Sequence, residues 1–359
     1  RVTGRSAGLT ARLRGRAWVG SPRRWRQLGH WHILGPEAPA FPGPSRDCRA
    51  MSSAAEPELV GFAGLGAMGW HMAAHMSKLP GTRCLVWNRD GDKAQRHAAE
   101  HGSVAVETAA GLAKAKVVVF CLPTSVEDAE VAEEVGSSMA AGGCIVSCTS
   151  GEPTSSRKLA ESLLERFGLH FVDCPVSGGP RGAAAGTLTC MLGANDEAAA
   201  EKVLPVVKAF AGKVVRCGPA GAGHAVKAIN NSLNCAHLLL GAEGFLALQS
   251  FGVDPAVAAE AINGSSGRSL QTMERLPQEV FTGRFSYGFK LPLMAKDCRI
   301  AAGVLRDGFP KASLLPAAVE LVQQAAAEEA PEADYTRIVN TLERRAGAEL
   351  RSGPYGPAK

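Results

Sequence analysis

Three features of the 359-residue sequence predict an α/β domain that leads through one long helix into an all-helical second domain. A short apolar strand near residue 60 runs into a glycine-rich loop that opens a helix. Strand-sized apolar runs then alternate with helical patterns to about residue 220. Beyond them lies an apolar stretch without proline, residues 233–251, whose one acidic residue is Glu243. It reads as one long helix, mostly buried, and the pattern after it stays helical.

The first strand, Glu58-Leu59-Val60-Gly61-Phe62-Ala63, meets Gly64-Leu65-Gly66-Ala67-Met68-Gly69 and then a helix with Met72, Ala73 and Met76 on one face. This is G-x-G-x-x-G between a strand and a helix, the setting of a dinucleotide-binding, Rossmann-type domain. Gly64 permits the tight turn, Gly66 lets backbone approach a pyrophosphate, and Gly69 lets the helix pack close on the sheet. The helix N-terminus offers free N–H groups and partial positive charge to phosphates. A glycine turn without a ligand is the plainer reading, and the agreement of strand, loop and helix disfavours it.

Residues 83–87 form the second strand, which ends at Asn88-Arg89-Asp90. An NAD site usually places a carboxylate here for the ribose hydroxyls. A neutral amide followed by a guanidinium suits a 2′-phosphate instead, so NADP is preferred over NAD. The alternative leaves Arg89 in solvent and gives the ribose to Asp90.

Further along, residues 117–122 are a buried parallel-type strand that stops at Pro123, and residues 126–135 an acidic helix. Residues 144–147 are a strand that gives way at Thr149-Ser150-Gly151 to a helix over residues 154–167. Ligands bind beyond the carboxyl ends of such strands, which makes Leu122, Pro123 and Ser150 candidate cofactor-lining residues. Ordinary turn chemistry would also place them there. After the strand 170–173, Ser177-Gly178-Gly179 brings a hydroxyl and exposed N–H groups together, an arrangement suited to a small carboxylate.

Lys227 and Asn231 are four residues apart, so on a helix they share a face. Burying an ammonium is costly, and a lysine snorkelling to solvent is the bland explanation. A desolvated lysine, however, has its pKa lowered toward neutrality and becomes a usable base.

Charge and cysteine content exclude other classes. Residues 1–50 carry ten arginines against Glu37 and Asp47; with +5 overall and +8 in this leader, the rest of the chain comes to −3. Such a body offers no footprint for nucleic acid. No uninterrupted apolar run approaches the roughly 20 residues that span a bilayer. The leader reads either as a mitochondrial transit peptide or as sequence upstream of a start at Met51, which would leave a cytoplasmic protein. The ten cysteines are scattered, and Cys144 and Cys148, the one close pair, lack partners for a zinc site. They are expected to be reduced, buried and intracellular, with no metal centre.

The order of Gly64-Leu65-Gly66-Ala67-Met68-Gly69, Asp173-Cys174-Pro175-Val176-Ser177-Gly178-Gly179, Gly223-His224-Ala225-Val226-Lys227-Ala228-Ile229-Asn230-Asn231 and Lys296-Asp297 is specific. Together these segments resemble the four signatures of the β-hydroxyacid dehydrogenases. This is the 3-hydroxyisobutyrate dehydrogenase-like family of the 6-phosphogluconate dehydrogenase superfamily, and the resemblance runs over residues 58–345. It implies a Rossmann-type domain, a long helix and an all-helical domain, divided as a leader 1–56, domains 57–220 and 221–345, and a flexible tail 346–359. By the same resemblance Lys227 is the catalytic acid/base and Asn231 helps hold the substrate. The carboxylate of a small acid would lie near Ser177, Gly178 and Gly179. Leu122, Pro123 and Ser150 would line the cofactor, and Lys296 would reach it from the helical domain.

Glu127 stands where many relatives carry Asn or Asp near the cofactor. Asn88-Arg89 is similar to the NADP-preferring branch, whereas the valine-catabolic members have Asp there. NADPH-dependent reduction of glyoxylate or succinic semialdehyde therefore stands beside oxidation of 3-hydroxyisobutyrate. A phosphogluconate-type decarboxylase would need a longer chain and a phosphate clamp, and a non-catalytic binding module would not need Lys227. Homodimers or homotetramers are common among relatives. Residues 285–290 precede the Lys296 helix and either cap the substrate pocket or simply pack between the domains.

Overall fold

The computed structural model describes residues 56–352. The basic leader, with the transit-peptide and start-site readings that depend on it, lies outside the described residues, as do Cys48 and residues 353–359. Strand β1 (Glu58–Ala63) occupies the middle of the first half. It pairs in parallel with β2 (Thr82–Trp87) on one side and β4 (Val117–Phe120) on the other. The full order is β3-β2-β1-β4-β5-β6-β8-β7, with β9 on β8. Here β3 is Val104–Ala105, β5 Cys144–Ser147, β6 His170–Asp173, β7 Val176–Ser177, β8 Leu188–Ala194 and β9 Ala211–Gly218. The strands β1 to β6 run parallel, and β8 returns antiparallel to β6. Strand order reverses at β1, so the crevice beyond its C-terminal end is the switch point where ligands bind.

Valine-rich strands suit a sheet covered on both faces, and every residue of β4 and β5 is buried. Alternation divides the cores. Phe62, Val86, Val119, Val146 and Val172 pack on one face, and Ala63, Leu85, Phe120, Ile145 and Phe171 on the other. The expected strand 117–122 ends at Phe120, because the Leu122 N–H leaves the ladder for the Thr149 hydroxyl at 3.0 Å. Helices α1 (Gly69–Met76), α2 (Gly91–His101), α3 (Ser125–Gly136), α4 (Pro153–Phe167), α5 (Gly179–Ala185) and α6 (Glu197–Val207) connect the strands.

Helix α7, Ala222–Ser250, is 29 residues long and begins well before the apolar run, so it contains both Lys227 and Asn231. The expectation that it is mostly buried needs correction. One face carries Cys235, Leu238, Leu239, Ala242 and Phe245 into the helical core, but Val226, Leu233 and Leu240 are exposed at 44%, 42% and 65%. Their spacing of seven puts them on one side, away from that core. Around α7 pack α8 (Pro255–Asn263), a π-helical segment Gln271–Val280, α9 (Leu291–Gly308), α10 (Leu314–Glu328) and α11 (Ile338–Ala346). Tyr335, Phe245, Phe281 and Leu276 fill the space between them.

Residues 347–352 depart from the expected flexible tail. Leu350 is buried, Arg351 pairs with Glu343 at 2.7 Å, and the Ser352 hydroxyl donates to Asp254 at 2.6 Å. These contacts dock residues 347–352 against the helical domain. The nine described cysteines are free, all buried except the half-buried Cys121 and Cys217. Among the described residues no His, Cys, Asp and Glu side chains cluster as a metal site, and no helix is long and apolar enough to cross a membrane.

Candidate active site

The glycine loop shows what each of its glycines is for. Gly64 has φ +95°, and a Cβ there would stand 2.4 Å from the Cys121 carbonyl oxygen. A Cβ on Gly69 would stand 1.9 Å from the Gly64 carbonyl oxygen, so the helix can close on the loop only without one. Gly66 differs, since a Cβ there would meet nothing within 4 Å. Ala67 beside it is exposed, while Leu65 and Met68 anchor the loop in the core. This open, backbone-lined cradle at a helix N-terminus fits a pyrophosphate.

Asn88 is tied to the glycine loop. Its Oδ1 accepts the Leu65 N–H at 2.9 Å and its Nδ2 donates to the Asp90 carbonyl at 3.1 Å, so the amide braces the glycine loop from β2. Asp90 caps α2 through the Lys93 N–H at 3.3 Å. Arg89 is exposed, as is Asp90, and Asn88 is half-buried.

Across the crevice, the turns after β4 and β5 are held by a carboxylate that the sequence reading passed over. Asp128 accepts the hydroxyls of Ser147 at 2.5 Å and Thr149 at 2.7 Å, and Thr149 in turn accepts the Leu122 N–H. Burial pushes the Asp128 pKa up to about 6, against those two hydroxyls. The Lys296 ammonium, on α9, donates to the Ser150 carbonyl at 2.8 Å and the Pro123 carbonyl at 3.2 Å. Leu122, Pro123, Ser150 and Lys296 are thus brought together, and the lysine is committed to the two turns. Glu127, on the same side, accepts the Thr124 hydroxyl.

Lys227 and Asn231 meet as their spacing requires. The Lys227 Nζ donates to Asn231 Oδ1 at 3.1 Å, and Asn231 Nδ2 donates to Asp297 Oδ2 at 2.6 Å. Asp297 is 2% exposed and also lies 3.5 Å from the Lys296 ammonium. Burial lowers the Lys227 pKa and the Lys296 charge adds to that, while Asp297 opposes it. The asparagine is therefore oriented by a buried carboxylate one residue beyond Lys296. The Lys296-Asp297 pair could be read as a motif, but the orienting role of Asp297 could not, because 66 residues separate it from Asn231.

Ser177 ends β7 half-buried, followed by Gly178 at φ +135° and Gly179 at φ +62°. Both φ values favour glycine, which leaves the N–H groups of this turn uncovered by side chains. Tyr287, in the segment between the π-helical stretch and α9, brings its hydroxyl to 3.9 Å from a Cβ built on Gly179. Two residues that fix the start of α7 appeared in the sequence only as members of motifs, without a role. Asp173, fully buried at the end of β6, accepts the Gly221 and His224 N–H groups, and burial pushes its pKa up to about 6. His224 sits against Ser156, with Nδ1 and Oγ 2.6 Å apart, and burial lowers its pKa to about 3, which keeps it neutral.

Residues 59–218 match the family described as the NAD binding domain of 6-phosphogluconate dehydrogenase. Residues 221–342 match the NAD-binding family of NADP-dependent 3-hydroxyisobutyrate dehydrogenase. The 2-(hydroxymethyl)glutarate dehydrogenase of Eubacterium barkeri is 32% identical over 302 residues, 82% of this chain and 98% of its own. This chain belongs to the 3-hydroxyisobutyrate dehydrogenase-like β-hydroxyacid dehydrogenases. A probable 3-hydroxyisobutyrate dehydrogenase of Mycobacterium tuberculosis H37Rv is 31% identical, over 80% of this chain and 99% of its own. The solved structure of Mycobacterium tuberculosis 3-hydroxyisobutyrate dehydrogenase with L-serine superposes with a TM-score of 0.73 at 28% identity, again over 80% and 99%. As a β-hydroxyacid dehydrogenase, the chain is an NAD(P)-dependent oxidoreductase of hydroxy acids. The α/β domain, α7 and the helical region behind it are the architecture of that family.

Proposed function

We propose that this dehydrogenase interconverts a small acid of the form HOCH2–CH(R)–COO⁻ and its semialdehyde, with NADP as the preferred cofactor and Lys227 as acid/base. The observation that carries the reading is the chain Lys227–Asn231–Asp297, in which a buried carboxylate orients the amide that holds a lysine of lowered pKa. The compounds named with the relatives fit this form. 3-Hydroxyisobutyrate, 2-(hydroxymethyl)glutarate and serine all carry a hydroxymethyl group beside the carboxylate-bearing carbon and differ in R.

In this mechanism Ser177 Oγ and the N–H groups of Gly178 and Gly179 hold the carboxylate. Asn231 and Lys227 then take the hydroxyl between them. Neutral Lys227 Nζ accepts the hydroxyl proton during oxidation, and its protonated form returns one during reduction. The nicotinamide, when bound, accepts or supplies the hydride. Leu122, Pro123 and Ser150 line its side of the crevice, and Lys296 fixes their turns. Exposed Arg89 supports NADP, because a guanidinium at the end of β2 can pair with a 2′-phosphate while Asn88 holds the loop. The same observation keeps NADPH-dependent reduction of glyoxylate or succinic semialdehyde as a second reading. A non-catalytic module is disfavoured by the oriented lysine.

Self-association belongs to the proposal as well. Val226, Leu233 and Leu240 form an apolar stripe on α7 that a second copy would cover in a homodimer or homotetramer. Light scattering on the full chain should give a multiple of its mass. The central test follows NADPH and NADH absorbance with 3-hydroxyisobutyrate, methylmalonate semialdehyde, succinic semialdehyde and glyoxylate. Turnover should fall roughly 100- to 10,000-fold in Lys227→Ala while cofactor binding survives. Full turnover in the variant would overturn the role of Lys227.

A further inference from the structure

A second cation of the helical domain is linked to the Gly178-Gly179 turn through one aromatic ring. Arg275, in the π-helical segment, lays its guanidinium over the Tyr287 ring at 3.9 Å from the centroid. Tyr287 is the residue whose hydroxyl reaches the Gly179 turn. The stack therefore carries a fixed positive charge to within a ring's width of the loop that holds the substrate carboxylate.

The opposite side of the same arch leads back to the lysine. Asn234 lies on α7 one turn beyond Asn231 and two turns beyond Lys227, so it shares their face. Its Oδ1 accepts Gln271 Nε2 at 3.0 Å, and Gln271 stands one turn before Arg275. Lys227, Asn231 and Asn234 thus share one face of α7, and the Asn234–Gln271 bond ties that face to the segment that carries Arg275.

Polar groups around that arch are incompletely matched. Gln271 is 1% exposed, and its Oε1 has no hydrogen-bond partner. Arg275 Nε is buried without one, although Nη1 pairs with the half-exposed Glu274 at 2.9 Å. The buried Tyr335 hydroxyl lies against the Arg275 guanidinium, and its ring meets Tyr287 edge-on at 5.5 Å. Orphaned buried donors and acceptors each cost free energy, so Gln271 Oε1 and Arg275 Nε, one turn apart, mark a place where a polar ligand group would be stabilised. A guanidinium has five donors, and Glu274 occupies one side of it.

We propose that Arg275, stacked on Tyr287, is the residue that selects R, and that it pairs with an acid group at the far end of R. The preferred substrates are then dicarboxylic, HOCH2–CH(R)–COO⁻ with a second carboxylate remote from the reacting carbon. This inference rests on the assignment of Lys227 and the Gly178-Gly179 turn made above. Tyr287 keeps the guanidinium flat and half-desolvated, where a carboxylate can meet it edge-on through two parallel N–H bonds.

Calorimetry of the NADP-loaded full chain with glutarate and with pentanoate isolates the charge, because the two differ only in a carboxylate replacing a methyl. Wild type should bind glutarate about tenfold to a hundredfold more tightly than pentanoate. In Arg275→Met, which keeps the apolar stem on Tyr287, that advantage should vanish, and in Arg275→Lys it should fall between the two. Lys227→Ala should retain it. Equal binding of the two acids by wild type, or a glutarate advantage that survives in a folded Arg275→Met, would overturn the proposal. Turnover of 2-(hydroxymethyl)glutarate and 2-(hydroxymethyl)pentanoate, measured alongside, tests the underlying reading separately. If neither turns over while the glutarate advantage follows Arg275, the role given to Lys227 fails and that of Arg275 stands.

Discussion

Asp173 Oδ2 accepts the backbone N–H of His224 at 2.8 Å, three residues before Lys227, while Oδ1 accepts the Gly221 N–H at 2.7 Å. A carboxylate at the end of β6 therefore fastens the first turn of α7 to the sheet. Gly223 permits that closeness, for a Cβ there would stand 2.1 Å from the Met191 carbonyl oxygen. Lys227 is thus positioned by the nucleotide-binding sheet although it sits on a helix of the other domain.

Asp173→Asn tests that fastening. An amide has one acceptor, so either the Gly221 or the His224 N–H is left facing an NH2 group in a buried site. The variant should lose about 1.5–3 kcal/mol in urea unfolding, the range for a hydrogen bond to a charged group. Its kcat should fall as well, because the lysine turn is no longer pinned. An unchanged unfolding midpoint would mean that α7 is held elsewhere.

Gly66 and Gly69 should separate binding from folding. A methyl at Gly66 meets nothing within 4 Å, whereas one at Gly69 runs into the Gly64 carbonyl oxygen. Gly66→Ala should therefore keep the wild-type Tm but bind NADPH more weakly, since the methyl enters the pyrophosphate cradle. Gly69→Ala should lose roughly 1–3 kcal/mol of stability through the forced shift of α1. Fluorescence titration and thermal unfolding of both variants give the comparison.

Local patterns explain what the sequence made legible. The G-x-G-x-x-G loop, the valine-rich strands and the four-residue step from Lys227 to Asn231 each depend on neighbours in sequence, so period and spacing were enough. Asp128, Asp173 and Asp297 were not legible in the same way. Their partners lie 19 to 66 residues away and meet them only once the sheet and α9 are in place. Asn88 was seen as a residue of interest, but its bond to Leu65 arises from strands pairing side by side. The exposed side of α7 escaped because composition shows how apolar a helix is, while neighbours decide which face is covered. Ser352 escaped for a similar reason, as its partner Asp254 is 98 residues away.

Arg89 gives the cofactor prediction. Arg89→Ala should raise the KM for NADPH about tenfold to a hundredfold, the loss of a charge-assisted pair, and leave the KM for NADH little changed. The difference should shrink at high salt because the residue is exposed. Equal effects on the two cofactors would mean that Arg89 does not read the 2′-phosphate.

The Lys227–Asp297 coupling predicts how activity moves with pH. Burial and the Lys296 charge lower the Lys227 pKa, and the Asp297 carboxylate opposes them by raising it. Oxidation requires the neutral amine, so kcat/KM should rise with pH through a pKa below the ordinary lysine value of 10.5 and level off above it. In Asp297→Asn the amide oxygen can still accept from Asn231, but the charge is gone. The lysine pKa then drops further, and the rising limb should shift to lower pH. Reduction requires the protonated amine, so its falling limb should shift the same way. A residue that merely props up Asn231 would lower the plateau and leave the limb in place, and pH profiles in both directions distinguish the two.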